Sequence, residues 1–238
     1  MKPFVSVVTP TYNRSTFVPA LVSCYKAQTY PKDRMEWIIL DDGPVSSREV
    51  FLKETEGLPN IRYIYEEEKS SVAAKRNRLN REAKGEILVA MDDDDYYPPT
   101  RIEHIVKKFQ QQPKVQLAGA SEVYMYHTDT KEIVKLGPYA PNHATNGTMA
   151  WRKSYSNTHF YDESALYSEE VTFLENYKNP LIQLDPLQTM LIMSHSENTF
   201  SKTDNFRGHS NNPFCKGTTK KLKDFIKDSK LRAFYESL

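Results

Sequence analysis

An α/β fold is what this 238-residue sequence predicts: a mostly parallel central sheet with helices on both faces, followed by a helical C-terminal tail. Three observations lead there. Short apolar runs rich in β-formers alternate with helical patterns through roughly the first 110 residues. Two of those runs end in clusters of acids. The second half then changes to shorter β-like segments divided by turns.

The elements follow in order. Phe4–Val8 is a β-rich run that Pro10 ends, and Ser15 offers a cap for a helix with Val18, Leu21, Val22 and Tyr25 on one face. Trp37–Leu40 is a buried-type strand closing at Asp41-Asp42-Gly43, and Ile61–Tyr65 is a third strand. A helix is expected from Ser71 to Ala83, stopped by Gly85. Ile87–Met91 is a fourth strand, ending in Asp92-Asp93-Asp94-Asp95. Thr100 and Glu103 form a capping-box pattern for a helix along Ile102, Ile105, Val106 and Phe109.

Beyond it, Val115–Ala120, Glu122–Tyr126, Glu132–Leu136 and Thr148–Arg152 read as strands, Ser168–Tyr177 as a short helix, and Leu181–Leu184 and Leu191–Met193 as strands. Thr218–Leu238 is a helix candidate with Leu222, Phe225, Ile226 and Phe234 apolar. With no repeat or low-complexity linker, the expectation is one domain over 1–210 (halves 1–110 and 111–210) and a tail over 211–238.

Composition excludes several classes. Lys and Arg number 32 against 31 Asp and Glu, so no global basic field points to nucleic acid. Two distant cysteines, Cys24 and Cys215, read as buried thiols rather than a disulfide. No stretch reaches the ~20 apolar residues of a membrane span, and the N-terminus lacks an apolar signal core. A cytoplasmic protein, soluble or peripherally membrane-associated, is therefore expected. The basic tail, with Lys220, Lys221, Lys223, Lys227, Lys230 and Arg232, either docks its apolar stripe on the domain or lies on an anionic membrane.

Four adjacent carboxylates after a buried strand repel one another, and a hard divalent cation resolves that repulsion while keeping positions open for phosphate. The competing reading is an acidic turn before the next helix. Ligands in parallel sheets bind beyond the carboxyl ends of the strands, where both acidic clusters fall. Asp41 and Asp42 could accept bonds from a nucleobase or ribose, or simply build a D-D-G turn.

The strings VSVVTPTYNR, WIILDDG, AAKRNR and ILVAMDDDDYYPPTRI, in this order and spacing, resemble the nucleotide-binding half of GT-A fold glycosyltransferases, above all glycosyltransferase family 2. The resemblance covers residues 3–110 well and continues more loosely to 207. It implies an inverting transferase that moves a sugar from a nucleoside-diphosphate donor, UDP-linked by preference, to a hydroxyl on a glycan, lipid-linked or protein-linked acceptor. Mn²⁺ or Mg²⁺ would sit on the diphosphate.

Carried over by position, Pro10, Thr11 and Tyr12 would line the base pocket and Asp41 would bond the base. Arg76 would lie near the nucleotide. Asp92 or Asp93 would reach ribose or metal-bound water, with Asp94 the direct metal ligand. Asn146-Gly147-Thr148-Met149-Ala150-Trp151-Arg152 resembles the segment that lies beneath the donor sugar and acceptor. Ser168-Glu169-Glu170-Val171 resembles the motif that supplies the base, which makes Glu170 the candidate and Glu169 the alternative. His195-Ser196-Glu197-Asn198-Thr199 resembles the element whose histidine completes the metal shell or contacts the diphosphate, and Lys202 and Arg207 could close over the phosphates. Nucleotidyl transfer and a non-catalytic nucleotide-sugar-binding module are the competing functions; VSVVTPTYNR lacks the glycine-rich loop typical of the former.

Overall fold

The computed structural model describes residues 2–198, 206–207 and 211–238; Thr199 and Lys202 lie outside them. Its large sheet grows from β1 (Val5–Thr11), every residue of which is buried. After α1 (Val18–Ala27), β2 (Met35–Asp41) pairs parallel to β1, and after α2 (Arg48–Glu54), β3 (Ile61–Tyr65) pairs parallel to β2. Helix α3 (Val72–Glu82) crosses back so that β4 (Ile87–Ala90) lies on the other side of β1. Helix α4 (Arg101–Gln111), β5 (Leu117–Gly119), β6 (Val123–His127), β7 (Glu132–Leu136) and β8 (Ala150–Arg152) follow. Then come two single-turn helices, α5 (Lys153–Ser156) and α6 (Glu170–Phe173), and β9 (Leu181–Gln183), β10 (Leu191–Ser194) and β11 (Cys215–Gly217). The chain closes with α7 (Leu222–Phe225) and α8 (Ser229–Ser237).

The seven-stranded sheet runs β3-β2-β1-β4-β8-β5-β9, antiparallel only on either side of β8. A four-stranded sheet runs β10-β6-β7-β11. Because β1, β2 and β4 are parallel, their carboxyl ends open on one edge, and that brings Thr11, Asp41 and Asp92 together from distant sequence. Trp37 anchors this region. It is fully buried, stacks on Tyr25 at 4.5 Å and donates Nε1 to Thr9 Oγ1 at 2.9 Å, so its roughly 1.5–3 kcal/mol of burial leaves no polar group unpaired.

Several boundaries differ from expectation for physical reasons. Pro10 does not end β1. Val8 O accepts from Met91 N, so Pro10, two residues on, faces the same side, where β4 has already stopped and no donor is required. Ser15 opens a 3₁₀ turn, and Thr100 makes no side-chain cap; Glu103 instead accepts from Thr29 Oγ1 at 3.0 Å. Ser71 does cap α3, accepting from Ala74 N. Gly85 serves by close approach, since a Cβ there would lie 2.5 Å from Ser6 N.

The expected helix over Ser168–Tyr177 is the single turn of α6, because Ser168, Glu175, Asn176 and Tyr177 all adopt positive φ. The tail is not one helix: Asp228 breaks it and caps α8 through Leu231 N. Nor is it an appendage. β11 pairs with β7, and Leu222, Ile226 and Tyr235 are buried in the main core. The apolar stripe of the tail thus packs inward, leaving Lys221, Lys223, Lys227 and Lys230 exposed. Cys24 and Cys215 are both buried thiols. Among the described residues no helix is long and apolar enough to cross a membrane.

Candidate active site

Two adjoining cavities open at the carboxyl edge of the large sheet, sharing Arg76, Asp92 and Asp94 in their walls. The first, about 730 Å³, is lined by Pro10, Thr11, Tyr12, Arg14, Lys69, Ser71, Lys75 and the aspartates 92–94. Tyr12 presents its ring with Lys69 Nζ 4.2 Å from the centroid, an arrangement of aromatic face and cation suited to a base and its phosphates. The second, about 430 Å³, lies between the acids and the small sheet.

Each aspartate in the run has a different setting. Asp92 forks onto Arg76 (2.9 and 3.3 Å), while its backbone N donates to Tyr97 Oη at 2.7 Å. Asp93 accepts from Thr11 Oγ1 at 2.6 Å. Burial, followed by the charge of Asp94, pushes its pKa up to about 7. Asp94 Oδ2 meets His195 Nε2 at 3.1 Å and Asn198 Nδ2 at 3.1 Å. Asp95 turns away, accepting from Met193 N at 2.8 Å, and its carbonyl accepts from Tyr235 Oη. A run that looks uniform in sequence is divided by its backbone.

His195 arrives because Tyr96 bridges to Leu191, which fixes β10 beside the acid run. Its ring is buried against Phe17, 5.1 Å between centroids. A carboxylate oxygen and an imidazole nitrogen side by side, backed by an under-compensated acid, are a donor set that fits Mn²⁺ or a similar divalent ion. Among the described residues, no group of three His, Cys, Asp or Glu side chains forms a metal cage. Nearby, Arg14 pairs with Glu197 at 2.6 Å, tying the loop after β1 to the loop after β10. Arg207 pairs with Asp129 at 2.6 Å.

Arg76 is the hub. It is buried and bonds Glu169 through Nε at 3.0 Å while gripping Asp92. Burial alone would lower its pKa, but Asp92 and Glu169 outweigh that and raise it. Asn146, 2.7 Å from Tyr161 Oη, satisfies both neighbours when its amide oxygen faces Arg76 Nη1 at 2.8 Å. Glu170 is half-buried, and burial followed by the Glu169 charge raises its pKa to about 7. The adjacent glutamates therefore differ: Glu169 is held by a cation, and Glu170 is poised to gain or lose a proton near neutrality.

Asp41 is the corrected residue. It is fully buried, accepting from Gly43 N (2.9 Å), Ser47 N (3.0 Å) and Tyr63 Oη, so it builds the D-D-G turn and does not line the cavity. Asp42 lies directly behind the cavity wall, bonded to Lys75 Nζ at 2.5 Å and Ser70 N at 2.8 Å. Sequence reading also passed over Arg101, which is fully buried beneath the acids. It stacks on Tyr97 at 4.4 Å and donates to Gly147 O at 2.7 Å. A charged residue amid apolar helix positions was its only signal.

This sheet order, with acids at the strand ends and a second sheet flanking the cavity, defines a GT-A fold. TarS residues 1-349 of Staphylococcus aureus, in complex with UDP-GlcNAc, aligns with a TM-score of 0.66 at 17% identity over 82% of this chain and 60% of that one. The mannosyltransferase PcManGT of Pyrobaculum calidifontis, in complex with GDP-Man and Mn²⁺, aligns at 0.64 and 16% identity over 83% and 59%.

The sequence profile of glycosyl transferase family 2 matches residues 6–172, and the chain belongs to that family. An uncharacterized glycosyltransferase of Haemophilus influenzae is 31% identical over 133 residues, 56% of this chain and 41% of the relative. Glycosyltransferase AglE of Haloferax volcanii is 30% identical over 93 residues, 39% of this chain and 31% of the relative. These matches thus span less than half of either relative.

Proposed function

We propose that this chain is an inverting glycosyltransferase that uses a nucleoside-diphosphate sugar, UDP-linked by preference, and a divalent ion. The observation that carries the reading is that Arg76 and Asp94 stand in the walls of both cavities, Arg76 bonded to Glu169 and Asp94 to His195. Nucleotide and acceptor would then occupy opposite sides of the acids. The nucleotide complexes of TarS and PcManGT support a donor of this class.

Tyr12 offers a platform for the base, and Lys69 and Lys75 carry positive charge beside it. Asp94 and His195 would hold a Mn²⁺ or Mg²⁺ ion, which supplies charge neutralisation for the departing diphosphate. Arg76 keeps Asp92 and Glu169 in fixed register across the sugar's position. Glu170, with its pKa near 7, takes the proton of an acceptor hydroxyl as that oxygen attacks the anomeric carbon opposite the diphosphate. Such assistance contributes about 10²–10⁴-fold. Glu169 is the alternative, its carboxylate already engaged by the Arg76 guanidinium.

Incubation of the protein with Mn²⁺ and a panel of nucleotide sugars tests the proposal. Release of nucleoside diphosphate from one donor supports it, whereas pyrophosphate release, or binding with no turnover under any acceptor, contradicts it.

A further inference from the structure

The second cavity has two unlike walls. The acids' side carries Arg76, Asp92, Asp94, Asn146 and Glu169. The apolar part of the lining comes from the small sheet and the segment leading into β10: Val123 and Met125 from β6, Leu136 from β7, Ile192 from β10, and Met190, which reaches Gly147 beside Asp92. All five belong to the apolar core cluster. Alternation along β6 sends Val123 and Met125 to the same face, and Leu136 pairs opposite Val123. The apolar wall is therefore a property of the sheet and not of one chance residue.

Resting on the transferase reading above, we infer that the acceptor carries an apolar group close to its attacking hydroxyl. The hydroxyl must approach the Glu169–Glu170 turn to be deprotonated, and it is Glu169 of that turn that lines this cavity. In a cavity of about 430 Å³ the remainder of the acceptor is then directed at the small sheet. A fully hydroxylated sugar there would lose hydrogen bonds to water and find aliphatic and thioether surface in exchange. An alkyl chain or a methyl-bearing substituent loses nothing polar and gains burial.

Two of the five wall residues are methionines, and the chain has seven in all, so their methyl groups are direct reporters. The full chain, labelled with ¹³C at methionine methyls and assigned through Met125→Gln and Met190→Gln, is titrated in the presence of Mg²⁺ and UDP. The probes are methyl β-glucoside, octyl β-glucoside below its micelle concentration, and the methyl β-glycoside of N-acetylglucosamine.

The expected result is saturable movement of the Met125 and Met190 resonances, with affinity at least about tenfold above that for methyl β-glucoside. Response to the octyl probe assigns the apolar group to a lipid-like chain, and response to the acetamido probe assigns it to a sugar substituent. Met125→Gln, a nearly isosteric change, is expected to reduce that preference with UDP affinity unchanged. Equal affinity for all three probes, or shifts that spread to methionines outside the cavity, would overturn the inference. Failure of UDP and Mg²⁺ to bind at all would instead sink the transferase reading, and UDP binding is read separately by calorimetry.

Discussion

Asp94 Oδ2 and His195 Nε2 lie 3.1 Å apart although 101 positions separate them in the chain. The pairing depends on β10 being held beside the acid run by the Tyr96–Leu191 bridge. It joins the two halves of the fold at the point where the donor diphosphate is proposed to sit.

The pair should behave as one unit toward metal. Asp94→Asn is expected to weaken metal-dependent UDP binding about 10²-fold, and His195→Gln about tenfold, each leaving the small metal-free component intact. Calorimetry with UDP, with and without Mn²⁺, measures this. An unchanged Mn²⁺ dependence in Asp94→Asn would remove the residue from the metal site.

Arg76 separates charge from geometry. Arg76→Met leaves Asp92 and Glu169 facing each other without a cation and should lower folding stability by about 3 kcal/mol. Arg76→Lys keeps the charge but cannot fork, so most stability should remain while turnover falls about 10²-fold. Denaturant unfolding beside steady-state kinetics distinguishes the two; loss of stability with full turnover in Arg76→Lys would contradict the positioning role.

The pH dependence follows from Glu170. A general base works as the carboxylate, and with its pKa raised to about 7, kcat/KM should rise with pH and level off above about 7. Stability has the opposite sign. The folded state holds this proton more tightly than an unfolded chain, whose carboxyl titrates near 4.5, so the contribution is full below pH 4.5 and lost as pH passes about 7. Glu170→Gln should therefore abolish turnover yet raise Tm at pH 8, with no gain at pH 4.5. Normal turnover in Glu170→Gln would transfer the role to Glu169.

Asp41 and Asp42 should part company. Removing the Asp41 carboxylate strands Gly43 N, Ser47 N and Tyr63 Oη, so Asp41→Ala is expected to cost about 2–3 kcal/mol of stability. Asp42→Ala frees Lys75 and Ser70 at the cavity wall and should change UDP affinity instead. If Asp41→Ala unfolds like the parent and loses base selectivity, the turn assignment is wrong.

Much of this was legible in the sequence, because β-rich runs ending in acids encode strands and strand ends directly. The structure pairs Asp94 with His195 and Arg76 with Glu169, joining motifs that lie far apart in the sequence. The division of Asp92–Asp95 was not legible, since it depends on which backbone N–H groups and side chains surround each carboxylate. Asp41 was misread because a D-D-G string serves a turn and a ligand equally well. Helix α2 went unread, as its pattern is short and has one buried residue, Phe51. The tail was read as one helix because its composition is helical throughout; Asp228 as a cap and Cys215–Gly217 as a strand emerge only against β7 and the core.

The most direct measurement is anomalous diffraction from a crystal soaked with Mn²⁺ and UDP. The account predicts a manganese peak within bonding distance of the Asp94 carboxylate and the His195 imidazole, with diphosphate oxygens completing the shell and the uracil on Tyr12. UDP bound elsewhere, or bound there with no metal near Asp94, would contradict it.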